Sequence, residues 1–315
     1  MSSVSVIMNC FNSSKYLREA IDSVYAQTYQ DWEIIFWDNA STDESPQIAK
    51  SYNGKLKYFR SGKTVTLGQA RKWAVEKAQG KYFAILDCDD LWLPEKLEKQ
   101  IAIFETNPEV GLVYSDCYII NSSGQVLERI FSKHIPHRGK ILADLFLDNF
   151  ISCLTAVIRK SVFDRVGYFD PKFSISEEYD LFCRISEIYE IDFIDLPLAK
   201  YRIAENSLSK NRIRAYEEEK DVVEGIIKAN PGLKKILGDK IIKKRLSVLY
   251  FNLGKAYFFH NDKQKSIFWF NKSMKLNKSF FNILISPALV FIGPRLAAYL
   301  RKYWRKFMKM PDRGD

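Results

Sequence analysis

Three carboxylates lie close together in the sequence, at Asp87, Asp89 and Asp90, directly after a short apolar run. Two or three carboxylates on a tight turn form a hard-oxygen site of the kind that holds Mg²⁺ or Mn²⁺ together with substrate phosphates. A nucleoside diphosphate is a poor leaving group unless its developing charge is neutralised, and a metal that bridges the phosphates does this. Arg71, further upstream, could add a charge-assisted contact to the same diphosphate. The alternative is a solvated turn, since Asp is common in loops.

The elements that must position these residues alternate between strands and helices. Short β-rich apolar runs predict strands at 4–8, 33–37, 56–59 and 82–86. Amphipathic spacing predicts helices at 14–27, at 67–79 with Gly80 just past its end, and at 94–105 with Pro94 in its first position. This alternation predicts a right-handed, doubly wound α/β sheet, which binds ligands at the carboxyl ends of its strands. Asp38, which ends the second strand, should share that edge with the acidic turn and accept hydrogen bonds from a ribose or a base.

The second half of the chain follows a different pattern. Two apolar runs, 111–118 and 125–129, flank a turn at 121–124 and predict a hairpin, and a helix at 179–189 and an extended segment at 191–202 follow. Beyond residue 209 almost everything is predicted to be helical. Around 246–278, Gly254, Tyr257 and Trp269 fall close to the spacing of one tetratricopeptide-type helical hairpin. A packing hairpin and part of a peptide-binding array are both open interpretations.

The charge distribution and the cysteine content argue against a nucleic-acid-binding protein, a disulfide framework and a zinc site. The chain has a net charge of +10, but residues 211–315 carry 23 Lys and Arg against 9 Asp and Glu, so the basic character lies in the C-terminal third. No nucleic-acid-binding motif accompanies this charge, and we expect no nucleic-acid partner. The five cysteines are scattered without a CxxC pair, which argues against a disulfide framework and a zinc site. Without a signal-peptide pattern at the N-terminus, we expect a cytoplasmic location.

The C-terminal segment at 280–310 raises the question of a membrane. Its first part, 280–292, is apolar but far shorter than the roughly 20 residues that a spanning helix needs. The following stretch, RLAAYLRKYWRKFMK, places aromatic and aliphatic residues on one side of a helix and cations on the other. This pattern favours the anionic inner face of the plasma membrane. The alternative is a packing helix or a contact in a homo-oligomer.

Several ordered motifs carry a resemblance to a known family. The segments VSVIMNCFN, WDNASTDES, LGQARKWA, LDCDDLWLP and SEEYDLFCRI, followed by YRIAENSLS, resemble the family 2 glycosyltransferases of GT-A fold. The resemblance covers roughly residues 3 to 210. It implies a GT-A catalytic domain at 1–210, with a mostly parallel Rossmann-like sheet, and leaves 211–315 as a helical, basic C-terminal region.

The resemblance implies roles for individual residues. The residues expected to contact the donor are Asn9, Phe11, Asn12, Asp38, Asn39, Gly68, Arg71, Asp87 and Arg202. Among these, Asn9 to Asn12 would line the nucleoside pocket and Asp38 would bind the base. Asp89 is the expected ligand of Mn²⁺ or Mg²⁺, and Asp87, also a candidate ligand, is expected nearer the ribose. Asp90 is expected to position the turn.

The expected general base is Glu178, at the position where the family usually has Asp. Its reference pKa near 4.3 would leave it ionised at neutral pH, ready to accept a proton from the acceptor hydroxyl. The alternative is that Glu178 only begins the following helix, where an acidic residue is favourable. The chain also departs from the family motif at Ala204, where His is usual, so a metal or phosphate contact there would have to come from Arg202, from Lys210 or from water.

The implied activity is that of an inverting glycosyltransferase in surface-glycan or glycoconjugate synthesis. The donor would be a nucleotide sugar, with a UDP-sugar favoured, and the acceptor a saccharide, a lipid-linked saccharide or a protein. The alternatives are a degenerate nucleotide-sugar-binding scaffold, suggested by Ala204 and by Glu at the base position, and an interaction module.

Overall fold

The computed structural model describes residues 2–52, 54–203 and 210–277. Two compact units make up the chain, residues 1–207 and 208–315. The predicted C-terminal tail at 280–310 and Ala204 lie outside the described residues.

The N-terminal unit is built on one mixed sheet. Its strands are β1 (Val4–Cys10), β2 (Trp32–Asp38), β3 (Leu56–Arg60), β4 (Tyr82–Ile85), β5 (Leu91–Trp92), β6 (Val110–Ile120), β7 (Val126–Arg129), β8 (Val157–Arg159) and β9 (Glu190–Arg202). Its helices are α1 (Ser14–Tyr25), α2 (Ser45–Lys50), α3 (Leu67–Lys77), α4 (Lys96–Thr106), α5 (Leu142–Leu147), α6 (Ser161–Val166) and α7 (Glu177–Ile188). The strand order is β3-β2-β1-β4-β8-β6-β9-β5, and β7 pairs with β6.

The first four strands form the predicted parallel half of the sheet. β1 pairs in parallel with both β2 and β4, and β2 pairs in parallel with β3. Nearly every residue of β1 and β2 is buried, because helices cover both faces, and this explains the continuous apolar runs. The predicted helix α1 buries Leu17, Ala20, Ile21 and Val24 on one face. The α/β prediction is confirmed for this half.

The predicted roles of Gly80 as a helix cap and of Pro94 as a first helical residue are wrong. α3 ends at Lys77, and Gly80 does not cap it: a Cβ on Gly80 would lie 2.6 Å from the backbone nitrogen of Ser5, so this glycine permits close contact with β1. α4 begins at Lys96, two residues after Pro94. The chain stays extended before it because the amide of Leu93 donates to the carbonyl of Leu198, next to the pairing of β5 with β9.

The C-terminal unit is helical in its described part, with α8 (Arg212–Ala229), α9 (Leu233–Leu237), α10 (Asp239–Phe259) and α11 (Lys263–Leu276). α10 and α11 form a tight hairpin, since a Cβ on Gly254 would lie 2.5 Å from the ring of Phe270. The hydroxyls of Ser247 and Ser273 bond to each other across this contact. In the part of the chain that the structure describes, we find no helix both long and apolar enough to cross a bilayer.

Candidate functional site

The predicted site residues come from strands that are neighbours in the sheet. Asn9 and Cys10 end β1, Asp38 ends β2, and the acidic turn 87–90 follows β4. Because β2, β1 and β4 lie side by side and run in parallel, their carboxyl ends meet at one edge. The sheet thus brings Asn9, Asp38 and the acidic turn to the same edge, as predicted.

Arg71 lies at the centre of this site, and three carboxylates surround it. Its Nη1 donates to Glu177 Oε1 at 2.5 Å and its Nη2 to Asp87 Oδ1 at 2.7 Å. Glu178 Oε2 lies 3.8 Å from Nη1. We call Arg71, Asp87, Glu177 and Glu178 the Arg71 cluster. Since the Arg71 side chain is only 2% exposed, it organises the carboxylates, and its expected contact with a diphosphate stays a prediction.

Of the two glutamates in this cluster, Glu178 is the one that a substrate can reach. Its side chain is 18% exposed, whereas that of Glu177 is 1% exposed. Burial raises the pKa of Glu178 well above its usual range, the neighbouring charge of Glu177 raises it further, and Arg71 opposes both. The reference value used in the sequence-based expectation therefore does not describe the environment of Glu178. A raised pKa brings a general base closer to the pH at which it works best.

The acidic turn is fixed by Arg202 at the end of β9. Asp90 is buried, and its Oδ1 accepts the backbone amide of Arg202 at 2.8 Å. The guanidinium of Arg202 donates to the carbonyl of Asp89 at 2.8 Å and to Glu19 Oε2 at 2.9 Å. Asp90 thus positions the turn, as expected. Arg202, which is buried and bound to protein groups, also positions the turn, and its expected contact with substrate stays a prediction.

Asp89 and Asp87 are the candidate metal ligands on this turn. Burial raises the pKa of Asp89 to about 6, and the charge of Asp87 adds to the shift. A divalent cation would relieve this unfavourable proximity of two carboxylates, so the pair fits Mg²⁺ or Mn²⁺. Within residues 2–52, 54–203 and 210–277, no group of three or more His, Cys, Asp or Glu is arranged to hold a metal. The protein would supply one or two carboxylates, and phosphate oxygens and water would complete the coordination.

Asp38 is fully buried, and both of its carboxylate oxygens are occupied. Oδ1 accepts the amide of Ser41 at 2.8 Å. Oδ2 accepts the hydroxyl of Tyr58 at 2.6 Å and Nη1 of Arg60 at 2.7 Å. Asp38 therefore braces the loop after β2. Since Oδ1 accepts one hydrogen bond and a carboxylate oxygen can accept two, the expected hydrogen bond from a base to Asp38 stays a prediction.

The other predicted nucleoside residues surround this loop. Asn12 has a φ of +50° and its Oδ1 accepts the amide of Thr42 at 2.8 Å. The side chain of Asn39 donates to the carbonyl of Val65 and accepts its amide, which fixes the loop before α3. Phe11 is exposed beyond the end of β1 and can contact a base. The amide group of Asn9 is buried without a hydrogen-bond partner among the described residues.

Gly68, predicted to contact the donor, has a packing role. Its amide donates to the carbonyl of Phe173 at 3.0 Å. A Cβ at this position would lie 2.2 Å from the carbonyl oxygen of Asp170. Gly68 is therefore needed so that the loop leading to Glu177 and Glu178 can lie directly on the start of α3.

Glu177 and Arg60 are the site residues that the sequence did not identify. Glu177 is separated from its partner Arg71 by 106 positions, and Arg60 from Asp38 by 22. Motifs of short spacing in the sequence cannot predict pairs of residues that are this far apart in the chain. The adjacent acidic residues in the first turn of α7 were the available signal for Glu177.

The chain is similar in sequence to known glycosyltransferases. The chain matches the family model described as Glycosyl transferase family 2 over residues 5–167. It is 34% identical over 217 residues to an uncharacterized glycosyltransferase of Methanocaldococcus jannaschii, covering 67% of this chain and 74% of that protein. It is 28% identical over 223 residues to WfgD of Escherichia coli, named as a UDP-Glc:alpha-D-GlcNAc-diphosphoundecaprenol beta-1,3-glucosyltransferase, covering 70% and 85% of the two chains.

Two solved structures share the fold. TarS of S. aureus in complex with UDP-GlcNAc has a TM-score of 0.59 and 16% identity, covering 88% of this chain and 91% of that one. The mannosyltransferase PcManGT of Pyrobaculum calidifontis, in complex with GDP-Man and Mn²⁺, has a TM-score of 0.62 and 18% identity, covering 98% and 84%. These structures confirm the predicted GT-A fold, and the sequence relatives and the family model together show that the chain belongs to Glycosyl transferase family 2.

Proposed function

We propose that the protein is an inverting glycosyltransferase that moves a sugar from a nucleotide-sugar donor to an acceptor hydroxyl, with Glu178 as the general base. The observation that supports this most is the Arg71 cluster. In it, the partly buried carboxylate of Glu178, with its raised pKa, shares Arg71 with Asp87 of the acidic turn that would receive the donor diphosphate.

Each group has a distinct part in this proposal. Glu178 accepts the proton of the acceptor hydroxyl as its oxygen attacks the anomeric carbon, and the bond to the nucleoside diphosphate breaks on the opposite side. One displacement with one base gives inversion at that carbon. Arg71 and Glu177 hold Glu178 in place, and Arg202 with Asp90 holds the turn. Mg²⁺ or Mn²⁺ on Asp89 and Asp87, when bound, would neutralise charge on the leaving diphosphate.

The relatives guide the choice of substrates. WfgD is named for a UDP-sugar and a lipid-linked acceptor, TuaG of Bacillus subtilis is named as a putative teichuronic acid biosynthesis glycosyltransferase, and TarS was solved with UDP-GlcNAc. We therefore propose a UDP-sugar donor, and a saccharide, lipid-linked or protein acceptor in cell-surface glycan synthesis. GDP-sugars are the second donor class, because PcManGT was solved with GDP-Man.

The direct test is nucleotide release from a panel of UDP-, GDP- and dTDP-sugars, with and without Mn²⁺. We expect turnover with one donor class, dependence on the metal, and loss of turnover in Asp89→Ala. Proton NMR of the product should show the anomeric configuration opposite to that of the donor. Donor binding without nucleotide release in the wild type, with any acceptor supplied, would favour the degenerate scaffold.

A further inference from the structure

The turn between α9 and α10 exposes apolar side chains that the catalytic proposal does not use. α9 leads into α10 through Gly238, which has a φ of +79°. Leu233 and Ile242 are buried and anchor the two sides of the turn. Between them, Ile236 is 73% exposed and Ile241 is 42% exposed. We call residues 234–244 the elbow.

These exposed side chains are grouped. Single exposed aliphatic residues are ordinary on a protein surface, but a contiguous group marks a binding surface. Ile236 and Ile241 stand on either side of one tight turn. Val248, also exposed, lies seven residues after Ile241 and therefore on the same face of α10. Lys244 and Arg245 lie between Ile241 and Val248 on this face, so exposed apolar side chains and cations alternate along it.

Exposed lysines surround this apolar surface. The elbow contains Lys234, Lys235, Lys240, Lys243 and Lys244, all of them exposed, and Asp239 as its one acidic residue. Asp239 pairs with Lys234 at 2.9 Å and with Lys243 at 2.5 Å. Among the described residues, Lys235, Lys240 and Lys244 have no ion-pair partner. The elbow therefore presents three uncompensated cations beside exposed isoleucines.

This combination selects one class of partner. An anionic bilayer surface attracts clustered lysines and also accepts aliphatic side chains between its headgroups. A nucleic-acid backbone would attract the lysines but gives the isoleucines nothing to bury against. Two elbows from copies of this chain would place like charges opposite each other. We propose that the elbow binds the surface of an anionic membrane, with Ile236 and Ile241 inserted at headgroup depth.

The proposal is independent of the C-terminal tail and of the catalytic proposal, because the elbow contains no residue of the candidate site. The test is cosedimentation of the full chain with vesicles of phosphatidylcholine and phosphatidylglycerol at a ratio of about three to one, and with pure phosphatidylcholine vesicles. We expect binding to the anionic vesicles and little to the neutral ones. Each lysine near an anionic surface contributes about 1 kcal/mol, or about fivefold in affinity.

Two sets of variants separate the charge from the apolar contribution. The triple variant Lys235→Gln, Lys240→Gln and Lys244→Gln should bind anionic vesicles about 100-fold more weakly. The matched control changes three exposed lysines outside the elbow, Lys160→Gln, Lys263→Gln and Lys275→Gln, and should lose far less. The variant Ile236→Ser with Ile241→Ser should bind at least tenfold more weakly and should dissociate more easily in salt. Circular dichroism checks that each variant is folded.

The outcomes decide the proposal. Equal losses in the elbow and control triples would mean general charge attraction and would overturn it. Unchanged binding in the elbow triple would place the membrane contact elsewhere in the chain and would also overturn it. Binding that the isoleucine changes leave intact, with equal affinity for a short RNA, would show a polyanion surface and not a membrane surface.

Discussion

Replacing Arg71 with methionine should move the pH dependence of catalysis in a defined direction. The change removes the positive charge 3.8 Å from Glu178 and leaves three carboxylates without their cation. At an effective dielectric constant of about 20, Coulomb's law gives roughly 4 kcal/mol for unit charges at this distance, or about three pKa units. Because the Glu178 side chain is 18% exposed, water screens part of this effect. We expect the pKa of Glu178 to rise further, by less than this unscreened interaction implies.

The measurement is the pH dependence of kcat at saturating donor and Mn²⁺. A base must be deprotonated to act, so a higher pKa of Glu178 moves the acid limb of the profile to higher pH. Glu177→Gln removes a negative neighbour and should move the same limb to lower pH. Arg184→Met is the matched control, because Arg184 pairs with Asp180 outside the Arg71 cluster, and its acid limb should not move.

The stability of Arg71→Met is a separate readout. Removing one partner of a buried ion pair costs about 3–5 kcal/mol, so the free energy of unfolding should fall by that order. Unchanged acid limbs in both Arg71→Met and Glu177→Gln, in proteins shown to be folded, would refute the assignment of Glu178 as the titrating base.

Single substitutions in the acidic turn, at Gly68 and in the α10–α11 hairpin should each change the stability of the protein. The pKa of Asp89 is about 6 in the folded protein, above its unfolded value, so in metal-free protein its ionised form opposes folding above pH 6. Asp89→Asn should therefore raise the free energy of unfolding there by up to about 3 kcal/mol. In denaturant titrations this gain should vanish below about pH 4. Gly68→Ala should lower the melting temperature and the activity, since its Cβ would clash with the carbonyl oxygen of Asp170 in the loop that leads to Glu177. Gly62→Ala should have little effect, because the space around Gly62 is open. Gly254→Ala should destabilise the C-terminal unit by about 1–3 kcal/mol in calorimetry, whereas Gly225→Ala within α8 should stabilise it by about 0.5–1 kcal/mol.

The sequence predicted the parallel half of the sheet well for a physical reason. β1 and β2 are buried on both faces, so they read as continuous apolar runs. The hairpin of β6 and β7 was predicted by its turn, where Gly124 has a φ of +84°. The predicted end of α3 at Gly80 was wrong, because a glycine after a helix can cap the helix or permit close contact with a neighbouring strand. The sequence alone does not distinguish these two roles.

The sequence predicted which residues lie in the candidate site better than it predicted what each residue binds. The motifs identified Arg71, Asp87 and Glu178, and the structure brings these three together. Their partners could not be predicted, because each pairing joins residues far apart in the chain. Asp38, Gly68 and Arg202 also form hydrogen bonds with protein groups that the sequence did not predict, and their expected contacts with the donor stay predictions.

The most direct test of the central claim compares Glu178→Gln with Asp180→Asn. Both changes neutralise a carboxylate in the first turn of α7, but Asp180 is bound to Arg184. With the donor class that the wild type uses, we predict that Glu178→Gln keeps donor affinity within about threefold in calorimetry and loses at least about 100-fold in sugar transfer, whereas Asp180→Asn retains most transfer activity if it is folded. Sugar transfer by Glu178→Gln at a rate near that of the wild type would contradict the account.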